Sequence, residues 1–517
     1  MLSTQWARNF AVRPDDIDSI QGLFLERETP ISIEEIARFI VQSRIEEEQA
    51  SLAEQFRNVT PYRPAETFEI GQRLVFPRLD FALATVVHSR AGINPELPPF
   101  QVIGVQFEDG TQREFAAALA EHALNSDTDD SSPIDTPVSV DDILSAGLPT
   151  ISRQIAEAMA SHTDFIRLGK LWFIRALMQP IDEGHLNLAE AVLDIAGGGP
   201  LTADAILDQI GGVGSGSQAL QAFSLNDALN RDPRFDEVGP LDTVLWYLRR
   251  YEPEEVQRTP DILQYTPIPY DESSLTDEQQ TLELEIDDEW SMLEDQEMNP
   301  LDKVRLILIY PHRRAGTLPL TARMRGIFPT ARRSSRIALR LVDGQDGEEF
   351  PGWVVREGRY VFGLSQIYRK HKLPVGAFVT VQREADTDRV IVNFQAHRPR
   401  SEYVRLIVDR NGQYGFEDTK RSIGAEYDDL VILGADDLQF VDSLFQSHQG
   451  GRKTLTGILR NLLSELSRNS PQGTVHAKTL YSALNVLRRC PPGPMLATLN
   501  HEPDFTYVGN HYWRLGG

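Results

Sequence analysis

Ten basic side chains fall between residues 301 and 340: Lys303, Arg305, Arg313, Arg314, Arg323, Arg325, Arg332, Arg333, Arg336 and Arg340, against the single acid Asp302. Nine are arginine, whose planar and permanently charged fork suits phosphate oxygens and guanine edges. Catalytic patterns are weaker. The loop Gly211-Gly212-Val213-Gly214-Ser215-Gly216 is glycine-rich, yet no apolar strand precedes it and no Lys-Ser/Thr follows, so it lacks the context that cradles phosphate. It reads as an internal loop. The histidines include no HExxH and no pair at helical spacing beside a carboxylate, which leaves no support for a metal site. His185 reads as a capping or packing residue. Cys490, the single cysteine, excludes an internal disulfide framework and a cysteine-rich zinc site. No cofactor and no small-molecule substrate is evident, and the chain reads as non-enzymatic.

These residues belong to a chain of 517 residues with 51 basic and 76 acidic side chains, a net charge of −25 and an ordinary 41% of hydrophobic residues. That length implies several domains. No window reaches the ~18 consecutive apolar residues of a membrane span, and the N-terminus lacks the order of a signal peptide. The expectation is a soluble, cytoplasmic protein without a membrane partner. Charge is divided unevenly: residues 1–300 hold 20 bases and 54 acids, leaving 31 and 22 for residues 301–517. An acidic half suits protein partners and a basic half suits a polyanion. The segments Asn125–Asp142 and Tyr270–Glu297 are acidic and contain no base. Both read as solvated linkers or exposed faces, although Leu282, Leu284, Ile286, Trp290 and Leu293 allow the second to hold a docking helix, and an acidic segment beside a basic domain can also fold back on it as a nucleic-acid mimic.

Near the N-terminus, Ser32 and Glu35 sit at capping-box spacing ahead of Ile36, Ala37, Ile40 and Val41, an amphipathic helix signature. Residues 67–118 change to short β-type runs punctuated by Gly71, Gly92 and Gly110, which suggests a small SH3 or Tudor-like β-barrel. The clearest internal signal is a repeat: Ala-Leu-Asn-Arg-Asp-Pro-Arg-Phe-Asp-Glu-Val-Gly at 228–239 and Thr-Leu-Asn-His-Glu-Pro-Asp-Phe-Thr-Tyr-Val-Gly at 498–509. Helical patterns precede each copy, and strands ending on Trp246 and Trp513 follow. Helices, a proline stop and two strands around a glycine describe a winged helix-turn-helix. Both copies resemble the winged-helix modules of the RNA polymerase delta subunit and of some chromatin-associated proteins, through the ending Asp/Glu-Pro-x-Phe-x-x-Val-Gly. The candidate recognition helix of the first copy, Gln218–Asn230, offers amides but no base, which favours protein contact. The second copy carries Lys478, Arg488 and Arg489, which suit a nucleic-acid backbone.

After the acidic linker, residues 301–400 alternate short strands with one helix, the pattern of a closed β-barrel. The order resembles the plant B-three DNA-binding domain, a seven-stranded pseudobarrel also found as the effector domain of some restriction endonucleases. The likeness rests on Phe328-Pro329 within a basic arm, on Ile337-x-Leu339-x-Leu341-x-Asp343, on Glu349-Phe350-x-Gly352-Trp353, and on Lys372-Leu373-Pro374-Val375-Gly376-Ala377-Phe378-Val379-Thr380-Val381. Ala377 stands where the family has Asp, and the second arm is short. The resemblance implies a first DNA-contacting arm carrying Arg323, Arg325, Arg332, Arg333 and Arg336, and a second carrying Arg356 and Arg359. Its restriction-enzyme branch also directs attention to Asp409 and Asp418-Thr419-Lys420 as a loose nuclease pattern, although the strand expected before the second acid is missing, since Gly412–Phe416 reads as a turn.

The sequence therefore predicts a multidomain α+β chain: an N-terminal helical segment (1–60), a small β-barrel (61–124), an acidic linker (125–145), a winged-helix domain (146–262), an acidic linker or docking helix (263–300), a basic B-three-like pseudobarrel (301–400), and a helical segment with a C-terminal winged helix (401–517). The expected function is binding of duplex DNA in a transcription- or chromatin-associated role. The competing expectation is an interaction scaffold whose basic barrel grips an acidic partner, with a restriction- or defence-related nuclease behind both.

Overall fold

The computed structural model describes residues 4–55, 59–79, 81–125, 139–241, 243–291, 301–324, 326–331, 334–384, 389–449, 453–468, 470 and 472–516. Among these, fifteen α-helices and six β-sheets form a mixed α+β chain that divides into two compact units, 1–178 and 179–517. No described helix is long and apolar enough to cross a membrane.

In the first unit, helices Pro14–Arg27 and Ile33–Gln55 are tied by the buried pair Arg44–Asp16 at 2.6 Å. The capping box forms as the spacing requires: the Ser32 N–H donates to the Glu35 carboxylate at 3.1 Å and the Glu35 N–H to the Ser32 hydroxyl at 3.2 Å. Five strands between Thr60 and Ala117 then pair in chain order around Phe68, Leu74, Phe76, Val86, Ile103 and Val105. The chain returns through helix Val140–Ala160 to a hairpin, Phe165–Leu168 with Leu171–Ile174. Strand Ile31–Ser32 pairs with the second hairpin strand and completes a three-stranded sheet.

This arrangement corrects two expected boundaries. Residues 146–178 were assigned to the following domain, whereas helix Val140–Ala160 packs its Ile143, Ile151, Ile155 and Met159 within the first unit. The N-terminal helices, expected to stand alone, share a fold with a segment a hundred residues away. Their order of helix, short strand, helix, helix and hairpin is that of the C-terminal residues 455–515, where strand Val475–His476 pairs with Tyr512–Leu515, which pairs with Phe505–Gly509. Residues 183–248 show it again, with a single bridge, Leu201 to Trp246, in place of the short strand. The repeat is threefold. Phe165 and Gly169, Phe235 and Gly239, and Phe505 and Gly509 share one spacing, and Trp172, Trp246 and Trp513 are all buried.

The central feature of the second unit is a seven-stranded sheet, in spatial order Lys303–Ile307, Phe378–Arg383, Arg389–Phe394, Arg336–Asp343, Glu349–Val355, Tyr360–Phe362 and Thr317–Pro319. Every neighbour is antiparallel except Arg336–Asp343 against Arg389–Phe394. Period-two patterning sends Ile337, Leu339 and Leu341 inward with Val354, Val379, Val381 and Val390, so the sheet curls into a half-barrel around one apolar core. The hairpin of the middle repeat lies against it: the Ala338 N–H donates to Val238, and Tyr247 meets Trp353 edge to face at 5.0 Å.

Beyond the half-barrel, residues expected to begin a helical segment form a long hairpin instead, Ala396–Arg410 with Gln413–Ala425. Asn411 and Gly412 both take positive φ, +57° and +82°, in the left-handed turn that Asn-Gly favours. The expected acidic linker is a docking element over its described length. Helix Asp277–Ile286 buries Leu282 and Ile286 in the core of the C-terminal repeat.

Candidate polyanion interface

The first arm leaves strand Thr317–Pro319 through a single 3-10 turn at Ala322–Met324, anchored by buried Met324, Ile327 and Phe328. Arg325, Arg332 and Arg333 lie outside the described residues. The other expected contacts can be placed one by one.

Arg323 reaches Asp287 at 3.5 Å, and the Thr321 hydroxyl donates to the same carboxylate at 3.1 Å. Arg359, at the second arm and with φ +54°, donates to the Glu289 carbonyl at 2.9 Å and lays its guanidinium 4.7 Å from the Trp290 ring centre. Arg489 is fully buried, 2.8 Å from Asp288 and 2.6 Å from Glu289, and donates to Asn485. Two arm arginines and one arginine of the C-terminal repeat thus converge on four consecutive residues, Asp287 to Trp290. The acidic stretch occupies the place where a polyanion was expected.

Behind it the network closes. His312, fully buried, meets Glu289 at 3.2 Å and Thr317 at 2.8 Å, while the Tyr481 hydroxyl donates to Asp288 at 2.5 Å. Burial pushes the Glu289 carboxyl up, but Arg489 and His312 outweigh it and hold it at about 2. Asp287 is less well compensated: burial raises its pKa, against the pull of Arg323.

Arg336 points to the middle repeat rather than outward. It meets Asp236 at 2.9 Å and Glu252 at 3.1 Å, and donates to the Gln257 carbonyl. Burial and the neighbouring Asp236 carboxylate push Glu252 up to about 8, against the opposing pull of Arg336 and Arg249. Arg356 is exposed, and its guanidinium donates to the carbonyls of Ala331 and Ser334 at 2.7 and 3.2 Å. A cleft of about 540 Å³ opens beside it, lined by Phe328, Pro329, Thr330, Ser335 and Glu357 among others.

The C-terminal candidates are corrected on the same physical ground. Lys478 is buried between Glu285 at 2.5 Å and Asp428 at 2.9 Å, and Arg489 is enclosed as described, so neither ammonium nor guanidinium faces a ligand without dismantling an ion pair. Arg488 is half-buried and directed to the Lys453 carbonyl at 3.5 Å. Helix Ala477–Leu487 is buried along its whole length, and Pro492–His501 along most of it. The third helix of the middle repeat, Gln218–Arg231, buries Leu220, Phe223, Leu225, Asp227 and Leu229, and that of the first unit exposes Asp141, Asp142, Arg153 and Glu157. No third helix presents a row of basic side chains among its described residues.

The nuclease pattern does not assemble. Asp409 registers against Tyr414, and Asp418 against Arg405, four ladder positions away, roughly 13 Å at strand rise. No group of three or more His, Cys, Asp or Glu residues suited to a metal occurs among the described residues. The glycine-rich loop lies between helices Ala203–Ile210 and Gln218–Arg231. The side chain of His185 sits beside the capping Asp182 at the start of its helix. Burial pushes the Cys490 thiol up to about 12.

Sequence reasoning missed Asp288, Glu289, His312 and Tyr481. An acidic triplet before Trp290, in a chain whose next domain is rich in arginine, was the available signal. Comparison with family models, with curated proteins and with solved structures finds no match for this chain.

Proposed function

We propose that this chain is a non-enzymatic interaction scaffold, built from three winged-helix-like repeats, an SH3-like small sheet and a B-three-like half-barrel. The observation that carries the reading is the convergence of Arg323, Arg359 and Arg489 on Asp287–Trp290. The basic rim takes an acidic peptide segment, and the segment it takes is part of the same chain. The helices that read DNA grooves in winged-helix proteins are here buried, or expose acids, which suits protein packing better than base readout.

A second reading, duplex DNA binding in a transcription- or chromatin-associated setting, keeps one specific observation. Arg356 donates to the carbonyls of Ala331 and Ser334, the residues that precede Arg332 and follow Arg333 in the sequence. Gel shifts of the full chain on duplex DNA separate the two. The scaffold predicts no retardation at physiological salt, and faster amide exchange at 287–291 in R323A/R359A. Retardation that weakens steeply with salt and is lost in R332A/R333A would replace the scaffold with the DNA reading.

A further inference from the structure

A second set of cations on the same half-barrel is only partly matched by carboxylates among the described residues. Helix Ser365–Lys370 ends in Arg369 and Lys370, and His371 and Lys372 follow directly, giving four consecutive basic residues. Lys370 pairs with Asp343, Asp346 and Glu348, and His371 with Asp343. Arg369 and Lys372 are exposed and meet no carboxylate among the described residues. Both line a cleft of about 940 Å³ enclosed by the half-barrel, the segment 255–262 and the long hairpin.

A third cation, Arg313, stands in the same cleft. It is half-buried, donates from Nε to the Leu373 carbonyl at 2.7 Å, and lies 5.6 Å from the centre of the Tyr368 ring. Burial lowers its pKa, and the like charge of Arg369 adds to that. The remaining lining cations are matched, Arg314 to Asp442 at 2.9 Å and Arg421 to Asp436. Of the lining acids, Asp261 meets Arg258, and Glu255 carries no ion pair among the described residues. Three cations therefore face one carboxylate. A guanidinium partly withdrawn from water beside another, without a counter-ion, is an unfavourable arrangement that an anion relieves. The lining also includes the aliphatic side chains of Ile262, Val404, Leu406, Leu433 and Leu438, the last 42% exposed, together with the matched pair Arg421–Asp436 and Ser422.

We propose that this cleft binds a phosphorylated small molecule with a flat apolar part, of the nucleotide class. Arg313, Arg369 and Lys372 take the phosphates, and the aliphatic lining residues, Leu438 foremost, cover the less polar part. The volume lies within the range of small-molecule sites, and arginine forks match phosphate geometry. This stands independently of the scaffold reading.

Calorimetric titration of the full chain with ATP, pyrophosphate and adenosine tests it. ATP is expected to bind, and pyrophosphate and adenosine each about tenfold more weakly or worse, since each engages one half of the cleft. R369A/K372G should lower ATP affinity by about tenfold or more. Both side chains are exposed, and glycine suits position 372, where φ is +50°, so this variant keeps its melting temperature. R313M, checked for folding by its melting curve, should abolish binding. A 5′-phosphorylated single strand that displaces ATP would place the same phosphate chemistry on a nucleic-acid end. No ATP binding by the wild-type chain, adenosine binding as tightly as ATP, or ATP affinity unchanged in R369A/K372G would overturn the proposal.

Discussion

The half-barrel carries arginines at two places, and the protein treats them differently. At the arms, Arg323 and Arg336 meet the carboxylates of Asp287 and of Asp236 with Glu252, and Arg359 meets the Glu289 carbonyl and the Trp290 ring. At the end of helix Ser365–Lys370, Arg369 and Lys372 meet no carboxylate among the described residues. Acids stand beside both places, but in the cleft Asp442, Asp436 and Asp261 are already matched to Arg314, Arg421 and Arg258. Clustering of cations in a sequence therefore says that carboxylates or phosphates are wanted nearby, and leaves open which of them answers.

The sharpest way to break this comparison is to empty the buried network. Replacing Arg489 by Met strands Asp288 and Glu289, both buried, and should cost about 3–5 kcal/mol in denaturant unfolding of the full chain. A cost below ~1 kcal/mol would mean that the acidic segment is not held as described.

The second test uses pH. The carboxyl of Glu252 titrates at about 8 in the folded chain, above the ordinary glutamate value, so folding favours its protonated form. Its stabilising contribution is complete below the unfolded value and declines as pH rises through 8. In unfolding measured from pH 5 to 9, the wild-type chain should lose more stability than E252Q does between pH 5 and 8, by a few kcal/mol at most, and the two should run parallel above 8. Curves parallel across the whole range would show that burial and the neighbouring Asp236 do not raise Glu252 beneath Arg336.

The smallest effect sharpens the contrast. Arg323 is about 29% exposed and its pair is long, so R323A should cost less than ~1 kcal/mol in thermal or chemical unfolding. R369A should change stability by no more than ~0.5 kcal/mol, because the side chain is exposed and gives up only a bond to the Ser365 carbonyl, leaving no carboxylate behind among the described residues. An R369A cost as large as that of R489M would show that the cleft cation is structural too.

Much of the fold was legible because it rests on local rules. Period-two patterning marked the strands of the half-barrel, the Ser32–Glu35 spacing marked a helix start, and the shared Phe, Gly and Trp positions marked two repeats. The third copy escaped because Thr163 replaces the proline, Leu168-Gly169 replaces Val-Gly, and the five-stranded sheet separates its second helix from its third. The long hairpin escaped because the alternation in Ala396–Arg410 is interrupted by Pro399, although Asn411-Gly412 marked its turn. Of the candidate site, the sequence picked out the cations but not their partners. Arg336 and Asp236 are separated by a hundred residues, and Arg489 and Asp288 by twice that.

Residue types alone determined which groups are charged, where helices begin and turn, and that the acidic and basic halves differ, since each of these depends on neighbours within a few positions. Tertiary structure decided which cations are shared with carboxylates and which face open space. That outcome depends on distances of a few ångströms and on exclusion of water between segments far apart in the chain, and no local pattern encodes either.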